Sequence, residues 1–294
     1  MSLQRMARVV AGVVWVVAGV VPLAHAGGAP YVGREEKTFS VSGTPDVTLR
    51  TFDGGIQVRT WNRREVHVTI ERHAADESDA KALEVDTRQD GNRITVDVRQ
   101  PAFQFFSFGE HRYVNLIVSV PATTDLSAHS GDGEITVDGV SGRIGLDSGD
   151  GRVAASNLHG DLDVHTGDGS VRVDGLQGTL HARSGDGSVH AGGRLSVVDV
   201  RTGDGSVTLD LDPGSVMSAD WQVASGDGSI SVGLPPAFDA EVDAHTGGGT
   251  IALNGVQLTV SGRLRHDRVH GTLGKGGHLL TLHSGDGSVS LHRR

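Results

Sequence analysis

The sequence contains no cysteine, so its fold cannot depend on disulfide bonds. Aromatic residues make up only 4% of the chain, and stretches with helical periodicity are scarce. Clusters of lysine and arginine are also lacking, and the formal net charge is −10. Because binding to nucleic acids requires basic groups that neutralise phosphates, a nucleic-acid partner is not expected. The same charge disfavours simple adsorption to anionic lipids.

The segment 1–26 has the pattern of a secretory signal peptide. Arg5 and Arg8 precede an apolar run over 9–24, and Ala24-His25-Ala26 forms a small-x-small cleavage site. The run is too short and wrongly flanked for a stable membrane span, so no transmembrane segment is expected in the mature chain. An uncleaved anchor is the alternative. These features predict an exported protein of the periplasm, cell surface or extracellular space.

A short glycine-rich motif, Ser/Thr-Gly-Asp-Gly, recurs with a fixed period and indicates a repeat architecture. The chain also has 43 glycines and many valine-rich alternating segments, which are typical of all-β structure with tight turns. The regular copies begin at Ser130, Ser148, Thr166, Ser184 and Thr202, and the later ones at Ser225, Thr246 and Ser284.

Each period reads as two short strands and two tight turns, with an apolar face that one unit cannot bury alone. Stacking successive units in parallel, about 4.8 Å apart, would align the apolar residues in inward columns. One column is Ile135, Val153, Val171, Val189 and Val207, and another is Ile144, Leu162, Leu180 and Val198. The pattern predicts a parallel β-solenoid with 18-residue rungs. Simple antiparallel hairpins are the alternative, but they do not require an identical inward set in every period.

The glycines of the motif are expected to supply positive φ angles at a strand-to-strand corner. The preceding Ser or Thr is expected to begin the corner with a hydroxyl-to-backbone hydrogen bond. The aspartates would then stack in a column and repel one another unless something offsets their charge. Hydrogen bonds from turn amides are one explanation and a bound Ca²⁺ is the other. The column consists of Asp132, Asp150, Asp168, Asp186 and Asp204.

Calcium rolls also have an 18-residue turn, but both turns of each coil then carry acidic motifs. The opposite turns here, such as Ser141-Gly142 and His159-Gly160, carry no consistent carboxylate. Since Ca²⁺ takes six to eight oxygen ligands, one Asp per rung falls short. No cofactor is therefore expected, with calcium kept as an alternative.

Histidines are numerous but do not follow a metal-binding pattern. His129, His165, His245 and His283 precede the Ser or Thr of the motif, where other copies have Asp, Arg or Ala, so outward, solvated positions are expected. No nucleophile elbow, phosphate-binding loop or dinucleotide fingerprint is found, and no catalytic residue is assigned.

An aromatic-rich segment over 101–109 separates two predicted strands. Its rings would either cover the end of the core in a hairpin or form an exposed apolar tip that docks a partner. The residues for such docking are Phe103, Phe105, Phe106 and Phe108. A second irregular stretch over 261–277 is predicted to be a degenerate rung or an excursion from the stack.

These motifs resemble the bacterial "putative adhesin" family of exported β-strand-repeat proteins, whose function is unknown. The resemblance is carried by the stretch from Gly54 to Trp61, the strand end at 118–121, and the serial SGDGxV and LxGxLxV units. It covers roughly residues 37–294. It implies a short-rung, right-handed β-helix, and it brings no catalytic residues.

We therefore predict a signal peptide over 1–26, a linker over 27–36, a β-rich N-terminal cap over 37–124 and a β-solenoid over 125–294. The function favoured is that of an exported, non-enzymatic cell-envelope structural or adhesin-like binding protein. Its partner would be a protein or glycan of the cell surface or envelope. A polysaccharide-acting β-helix enzyme and a calcium-stabilised β-roll are the alternatives.

Overall fold

The computed structural model describes residues 31–99, 112–260 and 265–294, and within them the chain is almost entirely β-structure. The elements of the N-terminal part are β1 (Tyr31–Ser40), β2 (Asp46–Thr51), β3 (Ile56–Trp61), β4 (Glu65–Ala74), α1 (Glu77–Ala82), β5 (Glu84–Asp90), β6 (Arg93–Arg99) and β7 (Tyr113–Pro121). The middle part contains β8 (Asp125–Ser130), β9 (Ile135–Asp138), β10 (Ser141–Ser148), β11 (Val153–Ser156), β12 (His159–Thr166), β13 (Val171–Ser184), β14 (Val189–Thr202) and β15 (Val207–Leu211). The C-terminal part contains β16 (Trp221–Ser225), β17 (Ile230–Leu234), β18 (Ala240–Thr246), β19 (Ile251–Asn254), β20 (Leu258–Val260), β21 (Arg268–Leu273), β22 (Leu279–Ser284) and β23 (Val289–Arg293).

In the middle of the chain, each strand pairs in parallel with its equivalent one period away. Ser141 pairs with His159 and Val153 with Val171, for example. The parallel stacking expected from the repeat is confirmed here, and antiparallel hairpins are excluded for these strands. The described part of the chain is an all-β, β-solenoid-like domain.

The strands form two walls that share one hydrophobic core. Wall 1 contains the strands that end at the Ser or Thr of the repeat motif. Its order is β5, β6, β2, β8, β10, β12, the second half of β13, the second half of β14, β16, β22, β18, β21 and β20. Wall 2 has the order β1, β4, β7, β3, β9, β11, the first half of β13, the first half of β14, β15, β17, β23 and β19.

Side chains alternate between the core and the solvent along both walls, as the period of a strand requires. The predicted inward columns are confirmed: Val153, Val171 and Val189 are at most 1% exposed, as are Leu162 and Leu180.

The order of the rungs departs from the order of the sequence at both ends of the stack. The coil made by β2 and β3 lies between the coil of β6 and β7 and that of β8 and β9. The last coil of the chain, β22 and β23, lies between β16–β17 and β18–β19. The strands β2 and β3, which the sequence analysis assigns to a cap, therefore form a rung of the stack.

The N-terminal end is closed by antiparallel strands and a short helix. β1 pairs with β4, and β4 with β7, so β1 begins within the segment expected to be a linker. The helix α1 is capped at its N-terminus by Asp76, whose carboxylate accepts a hydrogen bond from the backbone N–H of Asp79 at 2.9 Å. Ala80 and Leu83 are buried beneath this cap.

The irregular stretch near the C-terminus is an excursion from the stack. β21 pairs antiparallel with β18, and β20 pairs antiparallel with β21. These two strands extend wall 1 by two positions beyond the last coil, and β19 is the final strand of wall 2.

Candidate functional site

The corner at the repeat motif is built by close contact between coils. The backbone N–H of Gly149 donates to the carbonyl of Gly131 at 2.5 Å, and that of Gly167 to the carbonyl of Gly149 at 2.6 Å. The motif glycines do not have positive φ, so the predicted reason for them is wrong. A Cβ on Gly187 would overlap the carbonyl oxygen of Gly169, and the equivalent glycines of the other coils face the same obstacle. Glycine is required because the backbone of the preceding coil is too close for a side chain.

Positive φ is found at the opposite corner instead. Gly142, Gly160 and Gly178 have φ values of 146°, 115° and 143°. In these conformations an L-residue with a side chain would be strained. The two glycine columns of the repeat therefore have different physical causes.

The Ser and Thr side chains of the motif form a buried ladder of hydroxyl groups. Ser148 Oγ donates to the carbonyl of Gly133 on the neighbouring coil and accepts from the N–H of Gly151 on its own coil, both at 3.1 Å. The predicted local hydrogen bond is confirmed, and the bond to the neighbouring coil is an addition to it. Members of this column are 8% exposed or less. Each hydroxyl therefore connects two coils inside the core.

The aspartates of the motif point into solvent. Asp132, Asp150, Asp168, Asp186 and Asp204 are all exposed. The predicted hydrogen bonds from turn amides to these carboxylates do not form. The glycine amides at the corners donate to carbonyls of the preceding coil instead. In the described residues, no three acidic or histidine side chains are placed to share a metal ion. The column is a line of solvent-exposed carboxylates, and cation binding by it stays a prediction.

The histidines before the motif lie on the outer face of wall 1. His129 pairs with Asp147 at 3.3 Å, and the rings of His245 and His283 stack with centroids 5.4 Å apart. The predicted outward positions are confirmed. The segment with Phe103, Phe105, Phe106 and Phe108 lies outside the described residues, and its docking role stays a prediction.

A groove of about 600 Å³ crosses the outer face of wall 1 at Gly145. We call it the Gly145 groove. Gly145 is an outward position of β10, where the coils on either side carry Ser127 and Asp163. The lack of a side chain there produces the depression. Its lining is Asp46, Asp125, Leu126, Ser127, Arg143, Ile144, Gly145, Asp161, Leu162, Asp163, Thr179 and His181.

One edge of the groove is fixed by an ion pair between coils. Arg143 Nη2 donates to Asp125 Oδ2 at 2.9 Å, and the Arg143 backbone N–H donates to Asp125 Oδ1 at 3.0 Å. The guanidinium bond, followed by the backbone bond, holds the pKa of Asp125 below its ordinary value. Asp125 is therefore a charged, oriented carboxylate at neutral pH.

The other carboxylates of the groove differ in their pairing. Asp46 is bound by Arg93 at 3.0 Å, whereas the side chains of Asp161 and Asp163 are exposed and form no hydrogen bond or ion pair within the described ranges. Together with Ser127, Thr179 and His181, they offer acceptors and donors to a ligand that lies across the coils. The sequence motifs do not predict this site. Its one signal was a glycine at an outward strand position, away from either corner.

Parallel coils, two ladder walls and a continuous alternating core define a β-solenoid-like repeat domain. The family model described as Toastrack DUF4097 matches residues 46–292, and the chain belongs to this family. The relationship to a domain family of unknown function, expected from the sequence, is confirmed.

Several solved structures are similar to this chain, all at low identity. A putative lipid binding protein from Parabacteroides distasonis is 13% identical, with 89% of this chain and 96% of that chain covered and a TM-score of 0.48. A putative adhesin from Parabacteroides merdae is 11% identical, with coverages of 88% and 95% and a TM-score of 0.44. A putative adhesin from Bacteroides fragilis is 10% identical, with coverages of 89% and 97% and a TM-score of 0.36. No curated protein matches this chain.

No helix within the described ranges is long and apolar enough to cross a bilayer.

Proposed function

We propose that this protein is exported and acts, without catalysis, as an adhesin-like binding protein or structural protein of the cell envelope. The observation that carries the proposal is the Gly145 groove on the flat outer face of wall 1. Side chains on this face repeat from coil to coil at about 4.8 Å, so an extended partner can contact several coils at once. The partner proposed is a protein or glycan of the cell surface.

The charges of the groove limit the chemical class of this partner. Its lining contains four aspartates, one arginine and one histidine. Polyanionic partners would be repelled, in agreement with the net charge of −10. Partners rich in hydroxyl or amino groups would find acceptors in Asp161 and Asp163.

The shape of the groove supports binding over catalysis. Polysaccharide-acting β-helix enzymes enclose their substrates in clefts walled by long loops, whereas the corners between β8 and β13 are tight.

We also propose that the 18-residue rungs wind in a right-handed sense. Connections between parallel strands of one sheet have that hand in almost all cases.

The test is binding of the purified protein to isolated envelope fractions, with Gly145→Gln as the variant. The nearest atom to a Cβ at Gly145 is the Leu126 carbonyl oxygen at 4.0 Å, so the new side chain fits without disturbing the coil. The matched control is Ala154→Gln, an outward position of wall 2 in the same coil. We expect Gly145→Gln to reduce binding by about tenfold, equivalent to about 1.4 kcal/mol, and the control to bind as the parent does.

Three results would overturn the proposal. The first is binding that neither substitution affects, and the second is no binding to any envelope fraction. The third, which would favour an enzyme, is release of reducing ends from a panel of polysaccharides, provided that Asp161→Asn or Asp163→Asn abolishes this release.

A further inference from the structure

The C-terminal coil occupies a slot that earlier parts of the chain leave open. β22 pairs in parallel with β16 on one side, through Leu280 and Trp221, and with β18 on the other, through Leu280 and Val242. β23 is held in the same way between β17 and β19. The chain therefore builds the coils on both sides of the slot before it makes the segment that fills it.

The segment 278–294 contacts the slot much as a bound peptide would. Its apolar side chains Leu280, Leu282, Val289 and Leu291 are completely buried. Every strand that pairs with it, from β16 to β19, has ended by Asn254. Nothing in these contacts requires the segment and the slot to belong to one chain.

Polar anchors at both ends of the segment add to this burial. The backbone N–H of Leu279 donates to Asp220 Oδ1 at 2.9 Å. At the other end, Arg293 Nη1 donates to the carbonyl of Pro236 at 3.1 Å, and Arg294 pairs with Asp212 at 3.4 Å. These anchors fix the register of the segment from outside its own coil.

One short link joins the segment to the rest of the chain. β21 lies on one side of β18 and β22 on the other, so residues 274–278 must step across the end of β18. Gly274, Gly276 and Gly277 all have positive φ in this link. These three glycines give the link the conformational freedom of a hinge, and opening it would separate residues 278–294 from the strands that precede them.

We propose that the slot accepts residues 278–294 from a second copy of this chain, so that two chains pair by exchanging their C-terminal coils. The partner is defined by the slot, which matches this segment in length, register and anchors. Exchange of an identical element is a low-cost route to dimers, because every contact of the closed monomer is remade in the pair. It takes place during folding, before β22 and β23 have joined the coils on either side of them.

The lack of cysteine in the chain allows a direct test with the full-length protein. Ser231 and Ser290 are paired outward positions on β17 and β23. Paired positions on neighbouring strands lie about 4.8 Å apart, within the Cα separation that a disulfide spans. The double variant Ser231→Cys/Ser290→Cys should form this disulfide, within one chain in the closed monomer and between chains in the exchanged pair, and it establishes that the geometry is suitable. Chains with Ser231→Cys alone and chains with Ser290→Cys alone are then refolded together and oxidised.

We expect an interchain disulfide from this mixture, seen as a covalent dimer on non-reducing gels. The matched control is a mixture of Thr136→Cys chains with Ala154→Cys chains, which are paired in the same way on the interior coils β9 and β11. The control should give at least about tenfold less dimer, since an interior coil cannot be exchanged. A lack of dimer in the first mixture, or equal amounts in both, would overturn the proposal.

Shortening the hinge provides an independent measurement. Deletion of Gly276 and Gly277 removes two of the five link residues, which should strain the step across β18 within one chain and favour exchange, so we expect a larger fraction of folded dimer by light scattering. A chain that stays monomeric, whether folded or unfolded, would count against the proposal.

Discussion

Gly187 and its equivalents show that a repeated glycine can be needed for space and not for conformation. The corner glycines of the motif lie where the carbonyl of the preceding coil blocks a Cβ. The spacing of the motif identifies these positions but not the reason for glycine. A lack of space for a Cβ and a positive φ angle would both require glycine at the same position. The cause becomes visible only when neighbouring coils are in place.

This difference can be measured with two alanine substitutions. Gly187→Ala should lower the free energy of unfolding by about 1–3 kcal/mol, because the new methyl group overlaps the Gly169 carbonyl oxygen. Gly145→Ala should be neutral or stabilising by up to about 1 kcal/mol, because its site is open and glycine weakens a strand. Urea denaturation of both variants is the measurement. Equal effects at the two positions would contradict the close-contact explanation.

Asp125 predicts how stability depends on pH. Its pKa in the folded protein is lowered by the Arg143 guanidinium and backbone N–H. In the unfolded chain the ordinary value of about 3.9 returns. As pH falls below about 4, the unfolded chain therefore takes up a proton first. The stabilisation is present above that pH and is lost as pH falls towards the lowered pKa.

The measurement is the free energy of unfolding of the parent and of Asp125→Asn between pH 7 and pH 3. The variant should be less stable at pH 7 and should lose less stability on acidification. Parallel curves for the two proteins would show that Asp125 does not contribute. The pKa of Asp138 is also lowered, by the Ser156 hydroxyl and then the Asn157 amide, and both proteins should keep this part of the pH dependence.

At the scale of the strand and corner, the aspartate column is a line of like charges. Carboxylates one coil apart repel by roughly 0.8 kcal/mol in water. Asp168 has Asp150 and Asp186 as neighbours in this column and has no partner in the described part of the chain that offsets its charge. The column therefore costs stability at low ionic strength.

Asp168→Asn should raise the free energy of unfolding by up to about 1 kcal/mol at low salt, and the gain should shrink in 0.5 M salt because screening removes the repulsion. Addition of EDTA should leave the melting temperature of the parent unchanged. A loss of stability on substitution, or a fall in melting temperature with EDTA, would support a bound cation instead.

Much of the strand arrangement could be predicted from the sequence. The 18-residue spacing fixes which residues are equivalent, and the alternation of valines with polar residues fixes which of them face inward. The side chains of Val171 and Leu180 are buried for that reason. The Gly145 groove could not be predicted, because a missing side chain becomes a depression only when Ser127 and Asp163 stand beside it on neighbouring coils.

The whole molecule differs most from the prediction in the order of its coils. The motif at Ser284 shows that its segment forms a coil but does not specify the neighbouring coils, since every copy presents the same hydroxyl and carbonyl groups. Ser284 Oγ donates to the Gly228 carbonyl, and Thr246 Oγ1 donates to the Gly287 carbonyl. Equivalent bonds could form if the coils were stacked in the order of the sequence. The antiparallel excursion through β21, which carries the chain past β18, determines the actual order.

Hydrogen exchange should report this order directly. Amides in strands that are paired on both sides exchange slowly. The amides of 280–291 should therefore be as well protected as those of interior coils, because β22 and β23 are paired on both sides. The amides of 251–258 should exchange faster, since β19 is the last strand of wall 2. Fast exchange throughout 280–291 would contradict the inserted position of this coil.

The uniform 18-residue offset between β8 and β13 has an evolutionary consequence. Duplication or loss of one whole period in this region would lengthen or shorten the molecule by one coil and leave every hydroxyl bond and inward column in register. A change of any other length would place corner glycines against side chains. Variation in length among relatives should therefore be concentrated in the interior and come in multiples of one period, while both ends keep their interleaved order.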